Sequence, residues 1–258
     1  MSVYYRAIVQ CGVGMPPGAR ILAGGRCWFE FAQRIERNGL RQRVGVDEIP
    51  VDWLAALTGR RPAIAGLSMD RARVMGILNA TPDSFSDGGQ YSDIDAAVRA
   101  GLNMVPQGAD IVDVGGESTR PGAGVVPWQQ EIDRTVPIIT GIRNASDVCI
   151  SIDTRKALVA GAALAAGANM VNDVSALGYD AGLCRVVRDA SAPVCLMHAQ
   201  GDPKTMQQSP EYSDVLLDVY DYLKLRIKAA VSAGIARENI VVDPGIGFGK
   251  TLDHNLEI

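Results

Sequence analysis

The chain has 258 residues, of which 47% are hydrophobic, and this size and composition are typical of one α/β domain with a sizeable core. Lys and Arg number 25 against 29 Asp and Glu, so the formal net charge of −4 provides no basic field for nucleic acid or an anionic membrane surface. No segment is apolar for the length of a membrane span and no signal-peptide pattern opens the chain, so we expect a cytoplasmic protein that binds small molecules.

Residues 1–73 differ in character from the rest of the chain. They carry 11 Arg and no Lys against 6 acidic residues, a local charge of +5 beside −9 for residues 74–258. Proline- and glycine-rich stretches at 16–25 and 60–66 predict loops, and residues 52–57 have the pattern of a short helix. We therefore predict an ordered N-terminal extension, whose arginines form either a solvated face or a surface for a partner.

From residue 74 onward, short β-branched or apolar runs alternate with helical patterns. The six strand patterns cover residues 74–78, 109–114, 148–153, 168–173, 193–198 and 239–243. Apolar residues at three-to-four spacing predict a helix over 211–234, which Gly234 ends. Each helix between two strands implies a right-handed parallel crossover.

The strand patterns are apolar on both faces and end in polar or Gly-rich sequence. That arrangement fits a (β/α)8 TIM barrel, whose active site lies at the carboxyl ends of the strands. The polar residues at these ends are Asn79, Asp113, Asp153, Asn172, His198 and Asp243. Any one of them could instead cap the following helix, but six at the same end favour a binding site.

The number of βα units is smaller than in a complete barrel. Residues 74–258 contain six such patterns, whereas eight units take roughly 250 residues in all. We therefore expect an incomplete barrel over residues 74–258, truncated after strand six, with about two further βα units in a longer natural protein.

Two loops at the predicted barrel mouth carry polar groups suited to ligand binding. The first strand runs into Gly76–Gly89, a polar sequence with paired glycines that is a candidate lid. The second runs into Asp113–Ala123, where two glycines let the backbone approach a ligand. Thr119 and Arg120 offer hydroxyl and guanidinium donors there, which suit a carboxylate or phosphate.

The cysteines and histidines limit the redox and metal chemistry. Five widely spaced cysteines without a CxxC motif predict reduced, inert thiols. Only His198 and His254 are present, so a zinc site built mainly from imidazoles is excluded. We expect any metal to be a hard cation held by oxygen atoms.

The two loops belong to a longer series of motifs. It continues through SIDT at 151–154, VNDV at 171–174, LMHAQG at 196–201 and VDPGIGFGKT at 242–251. With these, the chain resembles the dihydropteroate synthase family over essentially all of residues 74–258. The resemblance implies a transferase of folate biosynthesis that joins 6-hydroxymethyl-7,8-dihydropterin diphosphate to para-aminobenzoate, giving 7,8-dihydropteroate and diphosphate.

The resemblance also implies which residues bind the pterin. A pterin presents an edge of adjacent N–H donors that a carboxylate accepts in bidentate fashion, and Asp243 matches the family's residue for that edge. Asp153 and Asn172 match its other pterin contacts, and Met197 would pack on the ring. The structural alternative for Asp153 and Asp243 is capping of the next helix.

The remaining site residues follow from the same resemblance. Thr119, Arg120, Pro121 and Phe248 match the para-aminobenzoate pocket, and Phe85 and Asp87 lie in the loop that closes over the reacting centre. Asn79, Phe85, Asp87 and Arg120 form the implied catalytic set, with Asn79 positioning Mg²⁺ and the diphosphate. The resemblance further implies a homodimer and inhibition by sulfonamides.

Two motifs of the family have no counterpart in these residues. They are a Ser-Arg-Lys on the seventh strand and an Arg-x-His on the eighth, which would contribute to anion binding. Two other functions remain open from the sequence. A pterin-binding methyltransferase of related barrel design would share the Asp and Asn contacts but need no diphosphate or para-aminobenzoate loops. The missing strands and the Arg-rich N-terminal segment would also suit a non-catalytic pterin-binding or interaction module.

Overall fold

The computed structural model describes residues 2–80, 90–118, 124–201 and 206–258. The chain divides into two compact units, Met1–Ala72 and Arg73–Ile258. No helix in these described ranges is long and apolar enough to cross a membrane.

The first unit is a small β structure with one helix. Its elements are β1 (Val3–Ala7), β2 (Arg20–Ile21), β3 (Trp28–Phe29), β4 (Phe31–Glu36), β5 (Arg41–Gly45) and α1 (Val51–Thr58). The strands β1, β4 and β5 form an antiparallel sheet in that order, and β2 pairs with β3. The helix α1 agrees with the pattern at 52–57. The strands of this unit were not predicted, and β2 lies in a stretch predicted as loop.

A separate hydrophobic cluster holds this unit together. Phe29 and Ala32 are fully buried, and the apolar residues of α1 pack against them. The strand β5 reads Arg-Gln-Arg-Val-Gly and buries only Val44 among its five side chains. The strand therefore has no hydrophobic periodicity of its own, and its pairing with β4 is what holds it in place.

The second unit consists of alternating strands and helices. Its strands are β6 (Met75–Asn79), β7 (Ile111–Gly115), β8 (Cys149–Asp153), β9 (Met170–Asp173), β10 (Val194–Met197) and β11 (Ile240–Asp243). Its helices are α2 (Gln90–Met104), α3 (Trp128–Ala145), α4 (Ala157–Ala165), α5 (Leu183–Asp189), α6 (Val215–Ser232) and α7 (Leu252–Glu257). All six predicted strands are present, with boundaries within two residues of the prediction.

The six strands form one parallel sheet in chain order from β6 to β11. One face carries the main core, in which Val112, Val114, Ile150 and Ile152 are inaccessible to solvent and cluster with isoleucines of α3. Alternate residues of the same strands point to the opposite face, which is polar. That polar face holds the candidate site.

The outer strands each have one neighbour within the described residues. Ile77 of β6 is 67% exposed and Val242 of β11 is 41% exposed. The strands β6 and β11 are therefore the two edges of the sheet in the described part of the chain.

The helix predicted over 211–234 begins four residues later than expected. The Asp214 side chain accepts a hydrogen bond from the Leu217 backbone N–H at 3.0 Å, so Asp214 is the N-cap and α6 starts at Val215. Gly234 follows the helix end with a φ of 95°, as expected for a glycine terminator.

Candidate active site

Four residues stand in one row across neighbouring strands at the polar face. In the sheet register Asn79 pairs with Gly115, Gly115 with Asp153, and Asp153 with Asn172. Residues in such a row point to the same side of a sheet at the same height. Parallel pairing of β6 to β9 therefore brings together three polar side chains that are up to 93 residues apart in the sequence.

Gly115 leaves room for two of these side chains to approach the strand. A Cβ atom at this position would lie 3.5 Å from Asp153 Oδ2 and 3.9 Å from Asn79 Oδ1. The carboxylate and the amide oxygen thus flank the backbone of β7 from both sides. A larger residue would fill the space between them, so glycine here keeps the two oxygens accessible to one ligand.

A second acidic residue lies behind this row. Asn172 donates from its side-chain nitrogen to Asp113 Oδ2 at 3.0 Å. Asp113 Oδ1 and Ser151 Oγ are buried and make no hydrogen bond of good geometry in the described part of the chain, although Ser151 lies close enough to Asp113 to favour its charged form. Burial raises the pKa of Asp113, and the neighbouring Ser151 and Asn172 side chains offset this only in part. An unpartnered buried oxygen at a polar face is a site where a ligand donor would bind favourably.

The Asp153 carboxyl is affected more strongly. Burial raises its pKa well above the ordinary value, and the negative charges of Asp113, Glu131, Asp173 and Glu117 add to the effect. Asp113 and Asp153 therefore interact as a pair, and each holds its proton to higher pH than an ordinary carboxyl does. In its protonated form such a carboxyl donates one hydrogen bond to a ligand, while the other oxygens of the pair accept.

The raised pKa predicts an unusual effect of an Asp153→Asn substitution. The unfolded chain loses the Asp153 proton near its ordinary pKa and the folded chain loses it at higher pH, so this group destabilises the fold increasingly as pH rises above about 4. We expect the variant to unfold at higher urea concentration than the parent at pH 7, with a difference that shrinks towards pH 4. Asp189→Asn, whose side chain is 60% exposed, serves as the control. An equal change at both pH values would contradict the raised pKa of Asp153.

Met197 and Asp243 lie beside each other on the last two strands. They are partners in the register of β10 and β11, and Met197 is 4% exposed. Asp243 Oδ1 accepts a hydrogen bond from the Gly245 N–H at 2.7 Å. Neither Asp243 nor Asp153 caps a helix, because Thr251 is the N-cap of α7 and Lys156 that of α4. The structural alternative of helix capping is therefore wrong for both carboxylates.

The loop after β11 is held by a buried lysine. Lys250 is 3% exposed, and its Nζ donates to the backbone oxygens of Gly245 at 2.8 Å and Phe248 at 3.0 Å. Its Nζ also lies 3.0 Å from His198 Nδ1. A Cβ atom on Gly245 would lie 2.0 Å from the His198 backbone oxygen, so only glycine fits at this crossing. The lysine thereby fixes the backbone that carries the half-buried Phe248.

The same contact makes His198 a neutral imidazole. Burial, together with the Lys250 charge, lowers the pKa of His198 to about 4, and the Asp218 charge opposes this. Burial lowers the pKa of Lys250 to about 8, while the charge of Asp243 opposes the shift. With Nδ1 facing the lysine, His198 accepts rather than donates at this atom.

We expect the stability of the fold to fall as pH drops from about 6.5 to about 4, because the unfolded chain then protonates His198 and the folded chain does not. In a Lys250→Met variant the His198 pKa should rise towards its ordinary value, as measured by nuclear magnetic resonance titration of the imidazole. Lys228→Met, at an exposed position of α6, is the matched control. A His198 pKa unchanged by Lys250→Met would refute the coupling.

An ion-pair network supports the loops next to the polar row. Glu117 accepts hydrogen bonds from Lys156 Nζ at 2.8 Å, from Arg155 Nε at 3.0 Å and from the Val126 N–H at 2.7 Å. Burial opposes ionisation of Glu117, but these bonds and the charges of Lys156 and Arg155 outweigh it and hold its pKa below the ordinary value. Glu117 thus joins the residues after β7 to those after β8.

Glu131 at the start of α3 completes this network. It is 1% exposed, pairs with Lys156 Nζ, and accepts a hydrogen bond from Thr154 Oγ1 at 2.6 Å. Thr154 and Lys156 directly follow the strand that ends in Asp153. The buried pair therefore fixes the backbone just beyond a site carboxylate.

The described residues cover only part of the predicted site. Among the predicted residues, they include Asn79, Asp153, Asn172, Met197, Asp243 and Phe248. Phe85, Asp87, Thr119, Arg120 and Pro121 lie outside the described residues. The register places Asn79, Asp153 and Asn172 along one row and makes Met197 and Asp243 strand partners. Phe248 lies in the loop that follows Asp243.

Sequence reasoning missed several groups that shape the site. Asp113 was recognised only as a strand-end residue, whereas it lies two residues before the end of β7. Lys250 was not recognised as the residue that holds the last loop, and Glu117, Glu131 and Lys156 were not singled out. A signal was available, since Glu117, Lys156 and Lys250 all lie within or beside the motifs, but their partners are distant in the chain.

The described residues contain no group of three or more His, Cys, Asp and Glu side chains that could hold a metal ion. Asn79 is exposed at the end of β6 and offers one amide oxygen. That donor set fits Mg²⁺, which keeps several waters and uses one or two protein oxygens together with substrate phosphates.

The second unit is similar in sequence to known proteins. A family model described as "Pterin binding enzyme" matches residues 75–258. The dihydropteroate synthase of Clostridium beijerinckii is 48% identical over 188 residues, which are 73% of this chain and 67% of that protein.

Two solved structures are similar in both sequence and fold. The Xanthomonas albilineans dihydropteroate synthase with 4-aminobenzoic acid has a TM-score of 0.70 and 46% identity, over 76% of this chain and 70% of that chain. The Yersinia pestis dihydropteroate synthase in a sulfonamide drug complex has a TM-score of 0.69 and 46% identity, over 74% and 69% of the two chains. The chain thus spans about two thirds of the length of its relatives, and an incomplete α/β barrel is confirmed as its fold.

Proposed function

This chain belongs to the dihydropteroate synthase family, whose members are transferases of folate synthesis, and on that premise we propose how its own residues bind the substrates. The substrates proposed are 6-hydroxymethyl-7,8-dihydropterin diphosphate and para-aminobenzoate, and the product is 7,8-dihydropteroate. The observation that carries the proposal is the row of polar residues on the polar face of the sheet, in which burial raises the pKa of Asp153. The proposed pterin-binding domain comprises residues 74–258, and residues 1–73 are an extension.

The pterin ring suits this mixture of donors and acceptors. Asp243 accepts the two adjacent N–H groups of the guanidine-like edge, and Asn172 both donates to a ring nitrogen and accepts from a ring N–H. Asp113 and Asp153, whose pKa values are raised by burial, supply further oxygens at the other end of the ring. Met197, nearly fully buried beside Asp243, packs on the ring face. A ligand in this position would also give the unpartnered Asp113 Oδ1 a donor.

The reaction requires charge stabilisation more than a base. The amine nitrogen of para-aminobenzoate forms a bond to the pterin methylene carbon as the bond from that carbon to the diphosphate oxygen breaks. The diphosphate leaves with the electron pair, and the amine proton passes to solvent. Mg²⁺ would neutralise part of the negative charge on the leaving group. Asn79 is the residue proposed to position it, through its amide oxygen.

The para-aminobenzoate pocket is proposed from the family motifs. Phe248 forms one wall, and its position depends on the loop held by Lys250. Thr119, Arg120 and Pro121 form the opposite side, with Arg120 as the donor to the carboxylate, and Phe85 and Asp87 close over the reacting atoms. A sulfonamide would compete for the same pocket. We also propose a homodimer and a cytoplasmic location, as the resemblance implies.

Pterin binding is the most direct test, because the residues proposed for it are all described. Isothermal titration calorimetry of the folded chain with the pterin diphosphate and Mg²⁺ should give one site per chain. Condensation is then measured as labelled para-aminobenzoate entering dihydropteroate, in this chain and in a version as long as its relatives. Folded protein of either length that binds no pterin would overturn the proposal. The methyltransferase alternative would require pterin binding without product in both.

A further inference from the structure

The first unit contains a cysteine pair that the proposed function does not use. Gln10 and Trp28 form an antiparallel bridge and exchange both backbone hydrogen bonds, at 2.8 Å and 2.9 Å. In an antiparallel pair, the position next to such a hydrogen-bonded pair is a non-hydrogen-bonded pair, with Cα atoms about 4.5 Å apart and both side chains on one face. Here that next position is Cys11 opposite Cys27. The separation falls within the range of about 4.4–6.8 Å that a disulfide spans.

The pKa of the Cys27 thiol agrees with this placement. The neighbouring Cys11 side chain is the main cause that raises it. The Leu22 N–H donates to the Cys27 backbone oxygen at 2.9 Å, so Cys27 is held between two neighbouring chain segments. Cys11 is exposed and precedes Val13, which is fully exposed to solvent. One thiol is thus fixed and the other lies at an accessible surface.

The remaining cysteines lack this combination. Burial raises the pKa of Cys149 to about 11, and burial with nearby carboxylates raises that of Cys195 to about 12. Both side chains lie within the sheet of the second unit, and Cys184 is half-buried in α5. None of these three is a register partner of another cysteine in the described strands. Reactivity towards external oxidants should therefore be confined to the first unit.

We propose that Cys11 and Cys27 form a dithiol site that closes reversibly to an intramolecular disulfide on reaction with a small-molecule disulfide such as oxidised glutathione. The exposed Cys11, as thiolate, attacks one sulfur of the oxidant, which forms a mixed disulfide and releases one glutathione thiolate. Cys27, after losing its proton, attacks the Cys11 sulfur and releases the second. Two protein thiols are oxidised, the glutathione disulfide is reduced to two thiols, and the two protons pass to the released thiolates.

The site departs from the prediction of inert thiols made from cysteine spacing. The bond would link Cys11 to Cys27, the residue just before β3, and would enclose the part of the chain that contains β2. It would close that part covalently and restrict the unfolded chain, as cross-links of this length do. Its formation requires no rearrangement of the second unit, which carries the proposed active site.

Thiol counting on the whole chain tests the proposal. The folded protein is incubated with oxidised glutathione, blocked and denatured, and its free thiols are counted. We expect the count to fall from five to three, with peptide mass spectrometry linking Cys11 to Cys27. Cys184→Ser is the matched control and should still lose two thiols. Cys11→Ser should leave no internal link.

Other outcomes would overturn the proposal. They are an unchanged thiol count, a link that involves Cys149, Cys184 or Cys195, and separate glutathione adducts on Cys11 and Cys27 that persist without closing. Reduction of the linked form with dithiothreitol should restore five thiols, and failure to do so would contradict reversibility.

Discussion

An Asp243→Asn substitution should nearly abolish pterin binding. The carboxylate is proposed to accept two adjacent N–H groups, whereas an asparagine turns an NH₂ donor towards one of them and removes the charge. Losing one partner of a buried charge-assisted pair costs about 2–5 kcal/mol, which is on the order of 30-fold to 5,000-fold in the dissociation constant. Calorimetric titration with the pterin diphosphate measures the loss, and turnover in the longer form should fall with it.

The substitution separates binding from loop structure. Asn retains an Oδ1 that can accept the Gly245 N–H bond, now 2.7 Å long, so the loop after β11 should keep its shape. Asp253→Asn, on the exposed side of α7, is the matched control and should bind pterin like the parent. Parent-like affinity in Asp243→Asn would rule out Asp243 as the pterin acceptor. Similar circular dichroism melts for all three proteins would exclude unfolding as the cause.

A Glu131→Leu substitution should cause the largest loss of stability. The side chain is 1% exposed, and its removal leaves Lys156 with one fewer counter-charge and Thr154 Oγ1 without its acceptor. Breaking a buried ion pair from one side costs about 3–5 kcal/mol when the remaining charge is left uncompensated. Because Lys156 keeps Glu117 as a partner at 2.8 Å, we expect a loss at the lower end of that range. Urea unfolding followed by far-ultraviolet circular dichroism should show this decrease in the free energy of unfolding.

A double variant distinguishes the charge effect from simple loss of packing. Glu131→Leu with Lys156→Met removes both charges, so it should be less destabilised than the sum of the two single variants. Glu117 keeps Arg155 and the Val126 N–H in this background. Asp133→Leu, on the exposed side of the same helix, should change stability by no more than about 0.5 kcal/mol. Additive losses in the double variant would show that the pair is not coupled.

The two carboxylates of the site are expected to respond in opposite ways. Asp153→Asn should raise stability at neutral pH because burial and the neighbouring carboxylates raise the pKa of Asp153 in the fold, so that its charged form is unfavourable there. Asp243, by contrast, is proposed to act as the acceptor for the pterin. A site that stores an unfavourable carboxyl pair trades stability for ligand affinity. Bound pterin would supply the donor that Asp113 Oδ1 lacks, so ligand binding should stabilise the fold.

Most of the second unit could be predicted because its signals are local. The apolar runs of β7 and β8 and the turn residues that follow them are contiguous in the chain, and parallel βα units place successive strand ends at one edge. This reasoning predicted the polar strand-end residues of the site, namely Asn79, Asp153, Asn172 and Asp243. The strands of the first unit were missed because β4 and β5 alternate charged and apolar residues irregularly and are stabilised by their pairing.

The sequence by itself determined the order of six strands and helices, the motifs, the family and the residues at the strand ends, since each of these is a property of adjacent residues. Only the tertiary structure decided that one oxygen of Asp113, Oδ1, is buried without a hydrogen bond, that Lys250 holds the loop of Phe248, and that Cys11 faces Cys27. Those relations depend on strand register and on burial. Register sets which distant side chains meet, and burial sets the free energy of their charged forms, and neither is encoded in any short stretch of the chain.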